Sequence, residues 1–86
     1  MLHLLLREQR LTFSQFMVLA GVSSGFTTPS SLASTLKVTV VSISDIASRL
    51  LESALLTSSL DSKDRRVHRF ALTELGQSKV NAILAG

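Results

Sequence analysis

The spacing of hydrophobic and polar positions predicts five helices and one short hairpin along the chain. Phe13, Phe16, Met17 and Ala20 follow one another at the intervals of a helix that is buried on one side. Further along, two short stretches of β-compatible residues flank a charged loop, which is typical of a hairpin. We therefore expect a mainly α fold with a small β-hairpin, in one domain over residues 1–86. The helices are expected over about 1–10, 13–24, 29–36, 40–53 and 74–85, and the hairpin over about 55–72.

Threonines mark the expected helix starts. Thr12 and Gln15 have the spacing of a capping box, in which each side chain accepts a hydrogen bond from the other residue's backbone amide. Thr28 stands before a proline, which suits the first helical position, and Thr39 is placed to cap the next helix. Gly25 is expected to end the helix before it in a left-handed conformation.

The helices expected over 29–36 and 40–53 are joined by a short turn, which is the helix-turn-helix pattern. In the second of them, five apolar residues at helical spacing are expected to face the core: Ile43, Ile46, Ala47, Leu50 and Leu51. The opposite face carries Val41, Asp45, Ser48, Arg49 and Glu52.

This second helix is a candidate for the major groove of duplex DNA. Short polar side chains such as Ser42, Ser44 and Ser48 suit contacts with base edges or phosphates. The alternative is an ordinary solvated helix face, and Asp45 favours that alternative because it directs a negative charge outward.

The hairpin loop holds the one concentration of basic residues in the sequence. Lys63, Arg65, Arg66 and Arg69 fall within seven residues, beside His68 and against two aspartates. On a protruding hairpin, an arginine is suited to enter the minor groove, where narrow A·T-rich segments concentrate negative potential. Asp64 is placed to hold a neighbouring arginine by a charge-assisted hydrogen bond. The alternative is a hairpin tip that is merely soluble.

Composition excludes several classes of protein. Of the 86 residues, 45% are hydrophobic and the net charge is +3, which fits one mildly basic domain with a thin core. The lack of cysteine excludes disulfide scaffolds and thiolate metal sites. The apolar start is far shorter than the roughly 20 residues of a membrane span and has no cleavage site of a signal peptide. We expect a cytoplasmic protein with no membrane contact.

The sequence gives no support for catalysis. His68 and Asp64 are four residues apart in a hairpin, and no serine lies in the context of a nucleophile elbow. His3 is isolated, so a histidine metal site lacks further ligands, and the glycines are scattered. We expect no enzyme activity, no cofactor and no metal.

Nearly the whole chain, from Leu11 to Leu84, resembles the DNA-binding core of the MarR family. The stretches Leu11–Leu19, Thr28–Leu36 and Thr39–Leu51 are similar to its first core helix, its Thr-Pro helix and its recognition helix. The most specific match joins Asp61–Arg66 to Phe70–Gly76, and is similar to the family's Asp-x-x-Asp-Arg-Arg loop followed by Leu-Thr-Glu-x-Gly.

The resemblance implies a winged helix-turn-helix regulator of transcription that binds double-stranded DNA as a homodimer. Arg66 would match the arginine that enters the minor groove, with Asp64 orienting it. The expected DNA-binding residues are Thr39, Val40, Val41, Ser42, Ser44, Asp45, Ser48 and Arg49 on the helix, and Lys63, Asp64, Arg65 and Arg66 on the hairpin. Whether a small-molecule effector takes part is left open.

The sequence departs from the family where helices end and at the chain ends. Lys37 and Ala54 stand where the family commonly has glycine, and the terminal helices that form the family's dimer are short or missing. A second hypothesis follows, in which the chain is a winged-helix interaction module that has lost DNA binding. It would pair with another protein, such as a related winged-helix protein, through an apolar surface formed by Leu2, Leu5, Leu6, Ile83 and Leu84.

Overall fold

The computed structural model describes residues 2–85, so Met1 and Gly86 of the expected domain lie outside the described residues. Within that range the chain is mainly α with one antiparallel hairpin, as expected, and the helix ends lie within two residues of the predicted ones. The elements are α1 (Leu2–Glu8), α2 (Phe13–Ser23), α3 (Pro29–Leu36), α4 (Val40–Glu52), β1 (Leu56–Leu60), β2 (His68–Leu72) and α5 (Glu74–Ala85).

The predicted caps start the helices. The Thr12 amide donates to Gln15 Oε1 at 3.0 Å and the Gln15 amide donates to Thr12 Oγ1 at 3.1 Å, which completes the capping box of α2. Thr28 caps α3 in the same reciprocal way with Ser31, a partner that the sequence reasoning did not identify. The Thr39 hydroxyl accepts the third amide of α4 at 3.1 Å. These bonds satisfy amides that a helix start leaves free.

The helices α1 to α4 are each followed by a residue in the left-handed conformation, with φ between 58° and 105°. These residues are Arg10, Gly25, Lys37 and Ala54. After each of them, an amide reaches back to a carbonyl five residues earlier, as from Leu55 to Leu50 at 2.9 Å. Lys37 and Ala54 therefore keep the left-handed geometry without glycine. Each such position costs about 1–2 kcal/mol.

The core lies where α2, α3, α4, α5 and the hairpin meet. Its fully buried side chains are Val18, Leu19, Leu32, Ile43, Leu50 and Val80. Two residues expected to face inward are exposed instead, Phe13 by 55% and Leu51 by 37%. Helix α2 packs against α3, α4, α5 and β2. Leu19 and Val22 lie on the buried face of α2, whereas Phe13 lies outside that face.

The hairpin, which we call the wing (residues 56–72), pairs Leu56 with Leu72 and Leu60 with His68. Its second strand begins at His68, well after the first strand ends at Leu60. The cause is the turn: the Asp61 amide donates to Val67 O at 2.8 Å and the Val67 amide to Asp64 O at 3.0 Å, so residues 61–67 form a loop.

Helix α5 returns across the base of the wing. The Thr73 hydroxyl accepts the Gly76 amide at 3.0 Å and donates to Ala54 O at 2.7 Å. A Cβ atom at Gly76 would lie 2.2 Å from Leu55 O, so only glycine fits this close approach.

Helices α1 and α5 pack together. The prediction that Leu6 and Ile83 belong to an exposed apolar surface is therefore wrong. Leu6 and Ile83 are core residues, exposed by only 7% and 4%, because each helix turns them toward the other elements. The exposed leucines of these helices include Leu2, Leu4 and Leu84, at 41%, 59% and 69%. No helix within residues 2–85 is long and apolar enough to cross a membrane.

Candidate nucleic-acid interface

Helix α4 presents one long exposed face. Its inward residues Ile43, Ala47 and Leu50 are buried, which fixes the rotation of the helix. The eight predicted site residues of this region are all exposed: Thr39, Val40, Val41, Ser42, Ser44, Asp45, Ser48 and Arg49. The side chains opposite the core form what we call the outer row, which comprises Val41, Asp45, Ser48 and Glu52.

Several hydroxyl groups of α4 are engaged within the helix. Thr39 Oγ1 donates to Ser42 Oγ at 3.0 Å and also accepts the Ser42 amide. Ser48 Oγ donates to the Ser44 carbonyl oxygen at 3.0 Å, an i to i−4 bond. Two of the serines that the sequence analysis selects as DNA contacts, Ser42 and Ser48, thus already hold part of their hydrogen-bonding capacity inside the helix.

The one carboxylate of the outer row next to these serines is partly neutralised. Asp45 Oδ2 lies 3.8 Å from Arg49 Nε, one helical turn further on, and both side chains are more than two-thirds exposed. An exposed pair of this kind contributes little to stability. It does place a positive charge beside the negative one that Asp45 directs outward.

The tip of the wing orients Arg66. Asp64 Oδ1 accepts hydrogen bonds from the Arg66 amide and from Arg66 Nε, both at 3.1 Å, and Asp64 Oδ2 accepts one from Nη2 at 3.2 Å. These bonds, the side-chain ones first, lower the pKa of Asp64 below its ordinary value. The Arg66 side chain is nevertheless 90% exposed, so its guanidinium is held in one direction while facing solvent.

Asp61 organises the rest of the tip. Its Oδ2 atom accepts the amides of Lys63 and Asp64 at 3.0 and 2.9 Å, which closes the turn. Its Oδ1 atom accepts a hydrogen bond from Arg69 Nε, and this bond is the largest cause that lowers the pKa of Asp61. Lys63 and Arg65 are exposed on the same loop.

Arg69 joins the wing to the segment before α3, a role that the sequence reasoning missed. Arg69 Nη1 donates to Thr27 Oγ1 at 2.9 Å, and the neighbouring Phe70 amide donates to Thr27 O at 2.7 Å. We call these bonds of Arg69 to Thr27 and Asp61 the wing tether. No local signal announces it, because Thr27 precedes Arg69 by 42 positions.

The wing and α4 meet around a shared cleft of about 380 Å³. Val40 from α4 and Arg66 from the wing line it, together with Thr28, Pro29 and His68. The structure thus brings predicted residues from both elements to one concave surface. Next to it, Ser58 Oγ lies 3.3 Å from His68 Nδ1, while the Asp64 carboxylate bonds Arg66, so the three residue types of a triad are not joined.

No protein-family model matches the chain, and no curated protein matches it by sequence. Solved structures do match. YusO from Bacillus subtilis is 29% identical with a TM-score of 0.88, and the match covers 94% of this chain and 58% of that one. A MarR family transcription regulator is 25% identical with a TM-score of 0.91, covering 98% of this chain and 56% of that one.

A third structure, a mutant of S. aureus MepR bound to an oligodeoxyribonucleotide, shares the fold. It is 23% identical with a TM-score of 0.89, and the match covers 94% of this chain and 61% of MepR. The chain therefore spans between 56% and 61% of the length of these three proteins.

Proposed function

Since the chain has a MarR-type winged-helix fold, we propose that it is a transcription regulator that binds double-stranded DNA. In this proposal α4 enters the major groove and Arg66 enters the adjacent minor groove. The observation that carries it is the common cleft lined by Val40 of α4 and by Arg66, because one duplex then meets both elements.

The dimensions and dipole of α4 support the first half of the proposal. The helix has 13 residues and an exposed face along its whole length, and an α-helix of this kind fits the major groove. Its first turn carries no acidic residue, so the positive end of the helix dipole is free to attract a phosphate.

The geometry of Arg66 supports the second half. An exposed arginine normally loses side-chain freedom on binding, which costs free energy. The hydrogen bonds that the Arg66 guanidinium donates to Asp64 already restrict the Arg66 side chain, so less of that freedom remains to be lost. A guanidinium held at the tip of a protruding loop is suited to a narrow minor groove.

Fluorescence anisotropy with mixed-sequence duplex DNA at several salt concentrations tests the proposal. We expect micromolar or tighter binding that weakens steeply as salt rises, because lysine and arginine contacts displace counterions. Arg66→Ala is expected to cost about 1–3 kcal/mol of binding free energy. The matched control is Arg7→Ala, an exposed arginine on α1. The proposal would be contradicted if both variants lost the same binding free energy, or if the wild type did not bind DNA at low salt.

A second candidate function is a protein-pairing module without DNA binding. The exposed Leu2, Leu4 and Leu84 favour it, since they belong to two helices that pack together. Self-association through these leucines is also compatible with DNA binding as a homodimer. The anisotropy experiment discriminates between the two candidates, because a module without DNA binding would leave the anisotropy of the duplex unchanged even at low salt.

A further inference from the structure

The outer row of α4 begins with an unusual side chain for a helix that meets DNA. Val41 is 79% exposed, the largest exposed fraction among the large apolar residues of the described chain. It lies in the first turn of α4, and the N-terminal residues of a recognition helix are those that contact base edges. Val41 therefore makes little contribution to the core and is available for a surface contact.

Two of the polar side chains near Val41 already hold part of their hydrogen-bonding capacity within the helix. The Ser42 hydroxyl is held by Thr39, and the Ser48 hydroxyl donates its proton to the Ser44 carbonyl. Ser44 lines a second cleft beside Pro29, Ser58 and His68, so it lies toward the wing and outside the outer row. The helix has no asparagine, glutamine or lysine, and its one arginine, Arg49, is in the last turn beside Asp45.

An apolar side chain can recognise only one group on the floor of the major groove, the C5 methyl of thymine. Valine suits this contact because its branched Cβ restricts the side chain to few rotamers, so little freedom is lost on binding. We infer that Val41 packs against a thymine C5 methyl and thereby selects a T·A pair beneath the first turn of α4. The inference rests on the proposed function and adds the base that the helix recognises.

The contact has a measurable size. Removing one methyl group from an apolar contact is expected to lower affinity about fourfold. Deoxyuridine is the suitable replacement, because it keeps the hydrogen-bonding edge of thymine and lacks only the C5 methyl. The loss of affinity on replacing thymine with deoxyuridine, which we call the penalty, should occur at one thymine in each bound site and should require Val41.

Selection from a library of random duplexes gives the bound sequence, and each thymine in it is then replaced by deoxyuridine. We expect one position at which the replacement lowers wild-type affinity about fourfold. In Val41→Ser, which leaves the core untouched, the same replacement should have no effect. Val38→Ser is the matched control, since Val38 is 45% exposed but precedes the helix, and it should retain the penalty.

The outcomes separate the inference from the proposed function. Salt-sensitive binding with equal affinity for thymine and deoxyuridine at every position overturns the role of Val41 and leaves DNA binding intact. A penalty that persists unchanged in Val41→Ser also overturns it. No binding to any duplex overturns both.

Discussion

The Arg69 guanidinium donates a hydrogen bond to the Thr27 hydroxyl at 2.9 Å, across 42 positions of sequence. The same guanidinium bonds Asp61 at the base of the wing loop. The contact with Thr27 holds the wing against the segment that leads into α3, and the contact with Asp61 fixes Arg69 within the wing. The direction in which Arg66 projects therefore depends on residues that are not themselves at the tip.

The first prediction concerns this wing tether. Arg69→Ala is expected to weaken DNA binding by about 1 kcal/mol, the size of one hydrogen bond, because the wing loses its fixed angle. Thermal stability should change little, since the Arg69 side chain is 51% exposed. Thr27→Val removes the acceptor while keeping the shape and should reproduce part of the loss.

The double variant of Arg69 and Thr27 tests whether the two residues act together. Anisotropy and thermal unfolding of both single variants and the double variant form a double-mutant cycle. If the double variant loses as much binding free energy as the two single variants together, Arg69 and Thr27 act independently, and the tether does not couple the wing to the segment before α3. Less-than-additive loss is expected.

The wing tether also marks what the sequence could and could not predict. The caps at Thr12, Thr28 and Thr39 were predicted because their partners lie within three residues, a distance at which sequence spacing determines geometry. Spacing also places Asp64 beside a neighbouring arginine, and the resemblance to the MarR family identifies that arginine as Arg66. The contact of Arg69 with Thr27 depends on how the wing folds back, and no spacing in the sequence encodes it.

Burial was less predictable at the margins of each helix. The helical spacing of α4 correctly identified Ile43, Ala47 and Leu50, which occupy the centre of the contact. Leu51 and Phe13 fit the same spacing but stay exposed, because each borders a cleft that the neighbouring elements leave open. Helix periodicity gives the direction of a side chain, whereas burial also depends on where the partner element ends.

A second prediction follows from the left-handed helix ends. Replacing Lys37 or Ala54 with glycine removes a conformational cost of about 1–2 kcal/mol. The added freedom of the unfolded chain takes back roughly 0.5–1 kcal/mol. We expect each variant to raise the free energy of unfolding by about 0.5–1 kcal/mol, measured by urea denaturation.

The control for these glycine variants is Ser34→Gly, at an exposed position inside α3 with ordinary helical geometry. There glycine is expected to destabilise the protein by a few tenths of a kcal/mol. Destabilisation by Lys37→Gly or Ala54→Gly as well would contradict the assigned left-handed conformation.

A third prediction concerns how the stability of the fold depends on pH in the acid range. The pKa of Asp61 is lowered from 3.8 chiefly by its hydrogen bond with Arg69, and that of Asp64 chiefly by Arg66. A carboxyl whose pKa is lower in the folded state stabilises the fold above the unfolded pKa. That contribution is lost as the pH falls through 3.8 toward the lower folded value.

Carbon-13 NMR titration of the carboxyl groups measures this directly. Arg69→Ala should raise the pKa of Asp61 toward 3.8, and Arg66→Ala should do the same for Asp64. Each variant serves as the control of the other, because each arginine bonds a different aspartate. A pKa for Asp61 that is the same with and without Arg69 would exclude the proposed bond in solution.

The last prediction concerns the exposed leucines of α1 and α5. Leu4 and Leu84 are 59% and 69% exposed on helices that pack together, and aspartate at both positions would place charges in any interface that covers them. We expect sedimentation of the wild type to give a mass above the 9.3 kDa of one chain, and the double variant Leu4→Asp with Leu84→Asp to return that mass to one chain.

The control is Leu60→Asp, a leucine 45% exposed on the wing, which should leave the mass unchanged. Because Leu6 and Ile83 lie in the core, substitutions there would unfold the chain and reveal nothing about pairing. A wild type that sediments as one chain at tens of micromolar would mean that these leucines do not pair two copies with useful affinity, since Kd values of micromolar order need only about 8 kcal/mol.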